Sequence, residues 1–555
     1  MGKAWRKAWK KGAVLVLAVM MLLSAGACGT QGPDTAPVGD EGESADKSTA
    51  DSNFNPTGLP IVNEPVTLRL MVRRPRLAKQ SFEEREIYKK RSKDTNVNIQ
   101  WEEIASSGFQ EKVNLAINSG DLPDGIYAGG IQQHKFGEVI EAGLITPLDD
   151  YIQYAPNLKK LMELYPVVKK ASTFEGDGKI YRYSGYNLKP FAAVAEPFFI
   201  NSDWLENLGL EMPETTEELY TVLKAFKEKD ANGNGDPNDE IPISFHLVGR
   251  NVTYRWMLAS WDLLAMKTQA DTTIRNGVLD FNPVNERYRS ALEYFHRLYR
   301  EGLMDPESIT QDLPTINAKI YGDTQKIGVF SAWALKKGKH WDSYELLLPV
   351  EGPFGDRKMV HNHDTQITNG LIIFKDCKHP AALVRWVDHL NDGVNAIENW
   401  GGPEGLAWVR DEANKTWDID YEGLEKKGRS FQEVRHSTAT QNGPDMSKIT
   451  EITGYEYVGF EKDPKMEWSN RHKPFFMEER WPVGDKIRLV TDRDREIALL
   501  WTDLQNHIRS FEAEAVINGM DDDKWNAHIT QCEKLKYKEI VAYWQERYNE
   551  MTEED

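Results

Sequence analysis

Residues 66–104 read VTLRLMVRRPRLAKQSFEEREIYKKRSKDTNVNIQWEEI. VTLRLMV (66–72) alternates apolar and polar side chains with β-branched residues, the pattern of a half-buried strand. SFEEREIYKKRSKDT (81–95) is charged and helix-like, and NVNIQWEEI (96–104) is strand-like again. Strand, helix, strand is the unit of an α/β fold. The pattern continues downstream. FQEKVNLAINSG (109–120) has helical spacing and stops on Gly120, and DLPDGIYAGG (121–130) opens a short strand that runs into glycines. KIGVF (326–330) and GLIIF (370–374) read as buried strands, while RYRSALEYFHRLYREGL (287–303) and PAALVRWVDHL (380–390) carry apolar stripes at helical spacing. Trp386 lies in such a stripe and is expected to be core.

With 555 residues the chain exceeds one core, which stops growing near roughly 250–300 residues, so two lobes are expected. Hydrophobic residues at 40% and charged residues at 28% support sizeable cores. No fixed-period repeat is visible, which argues against a solenoid.

The first 28 residues are organised differently. Lys3, Arg6, Lys7, Lys10 and Lys11 precede the apolar run AVLVLAVMMLLSAGA (13–27), and Cys28 follows at once. The run is short for a membrane span, which needs about 20 apolar residues. It reads as an export signal over 1–27. The small residues Ala25, Gly26 and Ala27 against Cys28 resemble a bacterial lipobox, with Ala25 where leucine is usual. That resemblance implies a lipidated Cys28, two acyl chains being about what stable anchoring takes. Residues 28–65 are acidic and rich in Gly, Ser, Thr and Pro, a tether without enough apolar area to fold. Loss of the leader's five cations takes the net charge from −19 to −24, which disfavours nucleic acid as a partner. Besides Cys28 only Cys377 and Cys532 remain; whether they pair is open, and there is no CxxC spacing.

The segment DANGNGDPNDE (230–240) is a candidate metal loop. Calcium takes six to eight oxygens, and a loop of the EF-hand kind supplies them from alternate positions, with glycine at the sixth for a sharp turn. With Asp230 as one, Asn232 is three, Asn234 five, Gly235 six and Asp236 seven. The end departs from that register, because Asp239 and Glu240 fall at ten and eleven and Ile241 at twelve. A solvated Asn-Gly turn is the plain alternative. The oxygen spacing favours calcium in a structural role, with no nucleophile or catalytic pair written around it.

The mature chain from about residue 66 resembles the extracellular solute-binding lipoproteins of bacterial carbohydrate ABC importers, particularly the large Gram-positive oligosaccharide-binding type and the alginate-binding proteins. The segments that carry the resemblance are SGDLPDGIYAG (119–129), GLITPLDDYIQYAPNLKKLMELYP (143–166), GDGKIYRYS (176–184), FFINSDWLENLGLEMPETTEELYTVLKAFKEKDANGNGDPNDEIPI (198–243), GLMDPESITQD (302–312), KIGVFSAW (326–333) and LIIFKDCKHPAALVRWVDHL (371–390). Their order and spacing, more than any one of them, make the match specific. It implies a two-lobed, periplasmic-binding-protein-like α/β fold, a hinge crossed several times and a ligand cleft between the lobes. By strand matching the first lobe takes 66–196 and about 370–410, the second 197–369 and about 411–555. The family's calcium ligands carry over to Asp230, Asn232, Asn234, the Asp236 region, Asp239 and Glu240; one extra residue within Asp236-Pro237-Asn238 leaves the seventh-position ligand open.

Sugar sites combine aromatic platforms with hydrogen-bonding groups. Trp333, after a buried strand, and Trp400, in the Gly-rich ENWGGPEG, are candidate platforms, with lobe or loop packing as the alternative for each. Arg255 and Trp256 pair a cation with a ring and suit a hydroxylated or acidic sugar, or equally a helix surface and a core. After Tyr127, itself a candidate contact, the chain reads Ala128-Gly129-Gly130. Either a sugar approaches the backbone there, or Gln132, Gln133 and His134 supply the polar contacts. The expected protein is a monomeric, non-catalytic lipoprotein on the extracellular face of the membrane that captures an oligosaccharide for an ABC permease. A secreted carbohydrate-active enzyme, with two carboxylates across a glycosidic bond, and a sugar-sensing receptor subunit are the rival readings.

Overall fold

The strand–helix–strand unit forms where the alternation predicts it. In a computed structural model of the chain, a helix over Glu86–Thr95 joins two parallel strands that pair from Val66 with Val97 through Arg74 with Ala105. The structure describes residues 52–552 except 76, 189–193, 195, 248–253, 264–270, 321, 323–325, 333–340, 360–364, 441–442, 463, 480 and 482–491. Cys28, the leader and Trp333 therefore lie outside the described residues.

The strands, in chain order, are β1 (Val66–Arg74), β2 (Val97–Ala105), β3 (Gly125–Tyr127), β4 (Tyr183–Leu188), β5 (Phe198–Asn201), β6 (Ile241–Ile243), β7 (Thr272–Arg275), β8 (Val278–Phe281), β9 (Ile327–Ser331), β10 (Tyr344–Leu347), β11 (Thr365–Ile373), β12 (Trp408–Asp411), β13 (Thr416–Ile419) and β14 (Glu456–Tyr457). They form two main sheets. One has the order β2-β1-β3-β11-β4 and the other β10-β5-β9-β6. Each has its own core. Leu68, Leu70 and Val72 pack with Trp386 and Val387 beneath the first sheet, and Ile200 and Val329 pack with Phe226, Phe295 and Leu298 beneath the second. Two α/β lobes result. The chain leaves the first sheet after β4, builds the second, and returns at β11, which runs antiparallel to both β3 and β4.

A second return was not legible in the sequence. Residues 431–453, given to the second lobe by strand matching, hydrogen-bond to elements of the first. Arg85 donates to the carbonyls of His436 (3.2 Å) and Ala439, Tyr88 bonds Thr440, and Tyr186 N–H donates to Asp445 O (2.9 Å). Met446, Ile449 and Ile452 join the first core. The segment is polar and has no strand period, so nothing in its pattern announces the contact.

Trp386 is packed in the core, against Tyr88, Trp101 and Tyr127. The same helix carries Asp388, whose carboxylate accepts from Leu158 N–H (3.0 Å), Asn157 N–H (3.2 Å) and Tyr183 O–H (2.8 Å). Two of these donors are among the unpaired N–H groups that open the helix Pro156–Leu164. Burial pushes the Asp388 carboxyl up to about 6, against the pull of those hydrogen bonds.

Candidate functional site

The helix Thr216–Glu228 leads into the Asp230–Glu240 loop. Its start is fixed by a capping box, in which Thr215 Oγ1 accepts from Glu218 N–H and Glu218 accepts from Thr215 N–H, each at 3.1 Å. Leu219, Val222, Leu223 and Phe226 bury one face of it. The chain then reverses through Gly233 (φ +70°) and Gly235 (φ +94°), conformations that favour glycine, and enters β6.

Within the loop the oxygens turn inward. The two Asp230 oxygens accept from the N–H groups of Asn234 (3.0 Å) and Gly235 (2.8 Å). Asp239 accepts from the side-chain amides of Asn232 (2.8 Å) and Asn234 (3.1 Å), which links the beginning of the loop to its end. Glu240 is 4% exposed; its Oε1 accepts from Ala231 N–H at 2.9 Å, and its Oε2 is buried with no hydrogen-bond partner among the described residues. A buried, unpartnered carboxylate oxygen is costly, and a divalent cation would remove that cost. Asp230, Asn232, Asn234, Asp239 and Glu240 offer oxygen ligands of the kind calcium takes. Asp236 Oδ1 accepts from both Asn238 N–H and Asn238 Nδ2, each at 3.1 Å. The residues fit a calcium ion on donor chemistry, with one Asp236 oxygen bonded to Asn238.

Ligands of open α/β sheets bind beyond the carboxyl ends of the strands. β1, β2 and β3 are parallel, so their carboxyl ends share one edge; β6 and β9 do the same in the second sheet. At the first edge Tyr127 does not reach solvent. It is fully buried, its O–H donates to Asn399 Oδ1 (3.2 Å), and burial raises it well above the ordinary tyrosine value. Its place is the core, contrary to the expected ligand contact. The glycines after it also have an internal cause. A Cβ on Gly129 would lie 2.4 Å from the Phe109 ring, and one on Gly130 would lie 3.3 Å from the Asn369 amide. Gln132 is half-buried and precedes the helix Gln133–Glu141. Arg73, at the end of β1, is half-buried with its Nε unpartnered among the described residues.

At the second edge β9 ends two residues before Trp333. Three residues past β6 comes His246, half-buried, its imidazole lowered by burial with Asp312 opposing. Arg255 is not poised toward a ligand as expected but bridges Asp271 (2.8 Å) and Glu512 (2.9 Å). Burial opposes its charge, and the two carboxylates outweigh burial and hold the guanidinium well above its ordinary value. The Trp256 side chain lies outside the described residues.

Trp400 sits in the helix Val394–Gly401 and not in a loop. It is 8% exposed, against Phe431 and Trp417, with the Lys448 ammonium 3.9 Å and the Arg435 guanidinium 4.7 Å from the ring centroid. That is an interior cation–π cluster. Arg73, His246 and Lys448 escaped the sequence reading because each is placed by strand topology or by a distant segment and not by a local motif.

A two-lobed α/β fold with an oxygen-rich loop in one lobe defines a class. A model of the bacterial extracellular solute-binding proteins matches residues 75–392, and the chain belongs to that family. It is 28% identical, over 98% of both chains, to the fructooligosaccharide ABC transporter substrate-binding protein FusA of Streptococcus pneumoniae. The structure of FusA with kestose matches at a TM-score of 0.76 and 27% identity, covering 88% of this chain and 100% of that one; an EF-hand mutant of FusA with fructo-nystose matches equally. The alginate-binding protein AlgQ2 without calcium ion shares the fold, with a TM-score of 0.66, 21% identity, and 89% and 100% coverage.

Proposed function

We propose that this chain captures an oligosaccharide outside the cell and hands it to the permease of an ABC importer without chemical change. The observation that carries this reading is the match to FusA, over 98% of both chains in sequence and over 88% of this chain in fold. Fructooligosaccharides are the first class to test. The ligand would lie between the carboxyl edges of the two main sheets, with Gln132 and Arg73 on one side and His246 and Trp333 on the other. Binding and closure of such a cleft are one equilibrium. The first lobe would comprise 52–188 and 365–457, the second 198–347 and 464–552. Calcium would brace the second lobe through Asp230, Asn232, Asn234, Asp239 and Glu240. It would stiffen the segment that delivers β6 to the cleft and would take no part in ligand chemistry.

The purified protein is to be incubated with kestose, nystose and a panel of plant and microbial oligosaccharides, following melting temperature and released sugars together. A true ligand at about 100 times its Kd adds about 2.7 kcal/mol of stability, so a rise in melting temperature without product is expected. Turnover to shorter sugars would instead establish an enzyme. Trp333→Ala is expected to diminish the ligand-dependent rise while leaving the ligand-free melting temperature unchanged.

Anchoring rests on Cys28. Cys28→Ser is expected to release the protein from cell membranes into the medium, and a variant that stays membrane-bound would point to an uncleaved leader helix as the anchor.

A further inference from the structure

Two histidines and a cysteine meet in the carboxyl-terminal helices, far in sequence from the calcium loop. His507 lies on the helix Asp492–Asn518, and His528 and Cys532 lie on the helix Asp522–Lys534. Residues four apart share one helical face, so the second helix presents an imidazole and a thiol side by side. His507 Nε2 is 3.0 Å from His528 Nδ1, Cys532 Sγ is 3.8 Å from the same nitrogen, and all three ligand atoms lie within 4.8 Å of one another. We propose that His507, His528 and Cys532 form a binding site for a zinc-class divalent cation.

Three observations support this. The spacing is close to what a tetrahedral ion needs, since zinc–nitrogen and zinc–sulfur bonds of ordinary length put the ligand atoms about 3.3–3.6 Å apart. The orientation of His528 is already fixed from behind. Its Nε2 lies 2.8 Å from the carbonyl of Pro283, to which it must donate, so its Nδ1 presents a lone pair toward His507. Cys532 Sγ stands beside the ring, 3.8 Å from Nδ1 and 3.7 Å from Nε2, and turns about its side-chain bond to reach the ion. A ligating imidazole is usually held by such a hydrogen bond to its other nitrogen. The His528 ring is also stacked on Phe511 at 3.8 Å and 7°, so it enters the site without further ordering.

Without metal, His507 Nε2–H donates to His528 Nδ1. On binding, His507 moves that proton to its Nδ1, and the Cys532 thiol releases its proton to solvent as the sulfur–metal bond forms. His528 and Cys532 are buried while His507 is half-buried, which leaves a water as fourth ligand on the His507 side. Two imidazoles and a thiolate select a borderline-soft ion and reject calcium and magnesium, which prefer oxygen. The site would tie the two helices together and is independent of what the cleft binds.

The test uses metal-free protein with excess calcium, titrated with zinc and, separately, with cobalt. One zinc per chain is expected, and the cobalt form is expected to show a thiolate charge-transfer band and the intense visible bands of a tetrahedral ion. Cys532→Ser removes the charge-transfer band, and His507→Ala weakens zinc binding at least about tenfold; Cys377→Ser changes neither. His507 is half-buried, so its variant keeps the question open to test if Cys532→Ser fails to fold. Absence of the cobalt–thiolate band in the wild-type protein, or zinc binding unchanged in His507→Ala, overturns the proposal.

Discussion

Glu512→Ala is expected to destabilise the second lobe by about 3–5 kcal/mol, the cost of breaking a buried charge network from one side. Glu512 is fully buried. Its Oε1 accepts from Tyr254 O–H (2.7 Å), from Arg255 Nη2 (2.9 Å) and from Tyr288 O–H. Arg255 in turn holds Asp271 at 2.8 Å. Removing the carboxylate takes the shared acceptor from two buried hydroxyls and a guanidinium, and leaves their desolvation uncompensated. The same carboxylate ties the helix Asp492–Asn518 to the short helical segment Tyr254–Trp261 and to the helix Glu286–Arg300, so the loss spreads over three elements. Melting temperature and urea midpoint would report it. Arg255→Ala is expected to cost a similar amount, and Arg255→Met with Glu512→Leu and Asp271→Asn less than the three single substitutions together, because no charge of the network is then stranded. If Arg255→Ala abolished oligosaccharide binding with unchanged stability, the arginine would belong to the cleft after all.

Arg255 also marks where sequence legibility ends. The strands β1, β2, β9 and β11 and the helices around Glu86–Thr95 and Pro380–Leu390 could be read because period and end signals are local. The loop after the helix Thr216–Glu228 could be read for the same reason, since all its oxygens come from eleven consecutive residues. Arg255 and Glu512 are 257 residues apart, and Trp400 meets Lys448 from a separate segment, so no local pattern distinguishes an arginine or tryptophan in the interior from one facing a ligand. Tyr127 followed a true strand signal, but its partner Asn399 lies 272 residues away. His528 and Cys532 stand at helical spacing in the sequence, whereas His507 joins them only through the packing of two helices.

Chelation of calcium is expected to lower the melting temperature by about 5–10 °C, the shift that corresponds to about 2.7 kcal/mol for an ion present at 100 times its Kd in a lobe of this size. Four carboxylates, Asp230, Asp236, Asp239 and Glu240, stand within eleven residues, and the hydrogen bonds among them do not reach Glu240 Oε2. Added calcium should restore the melting temperature, and magnesium should restore little of it, because a set of this many protein oxygens suits the larger, less strictly octahedral ion. Glu240→Gln keeps an acceptor for the N–H groups of Ala231 and Asn232 while removing the charge. Its melting temperature is therefore expected to lie near that of the chelated wild type and to respond little to calcium. Asp236→Asn should retain most of the calcium response, since Asp236 is engaged by Asn238. An unchanged melting temperature on chelation, with no copurifying metal, would reduce the loop to a turn. If the response is present, β6 would carry its consequence to the proposed cleft: the loop ends at Glu240, β6 follows over Ile241–Ile243, and His246 lies three residues beyond it. Calcium loss should then weaken oligosaccharide binding modestly through the position of that strand, with stability falling first.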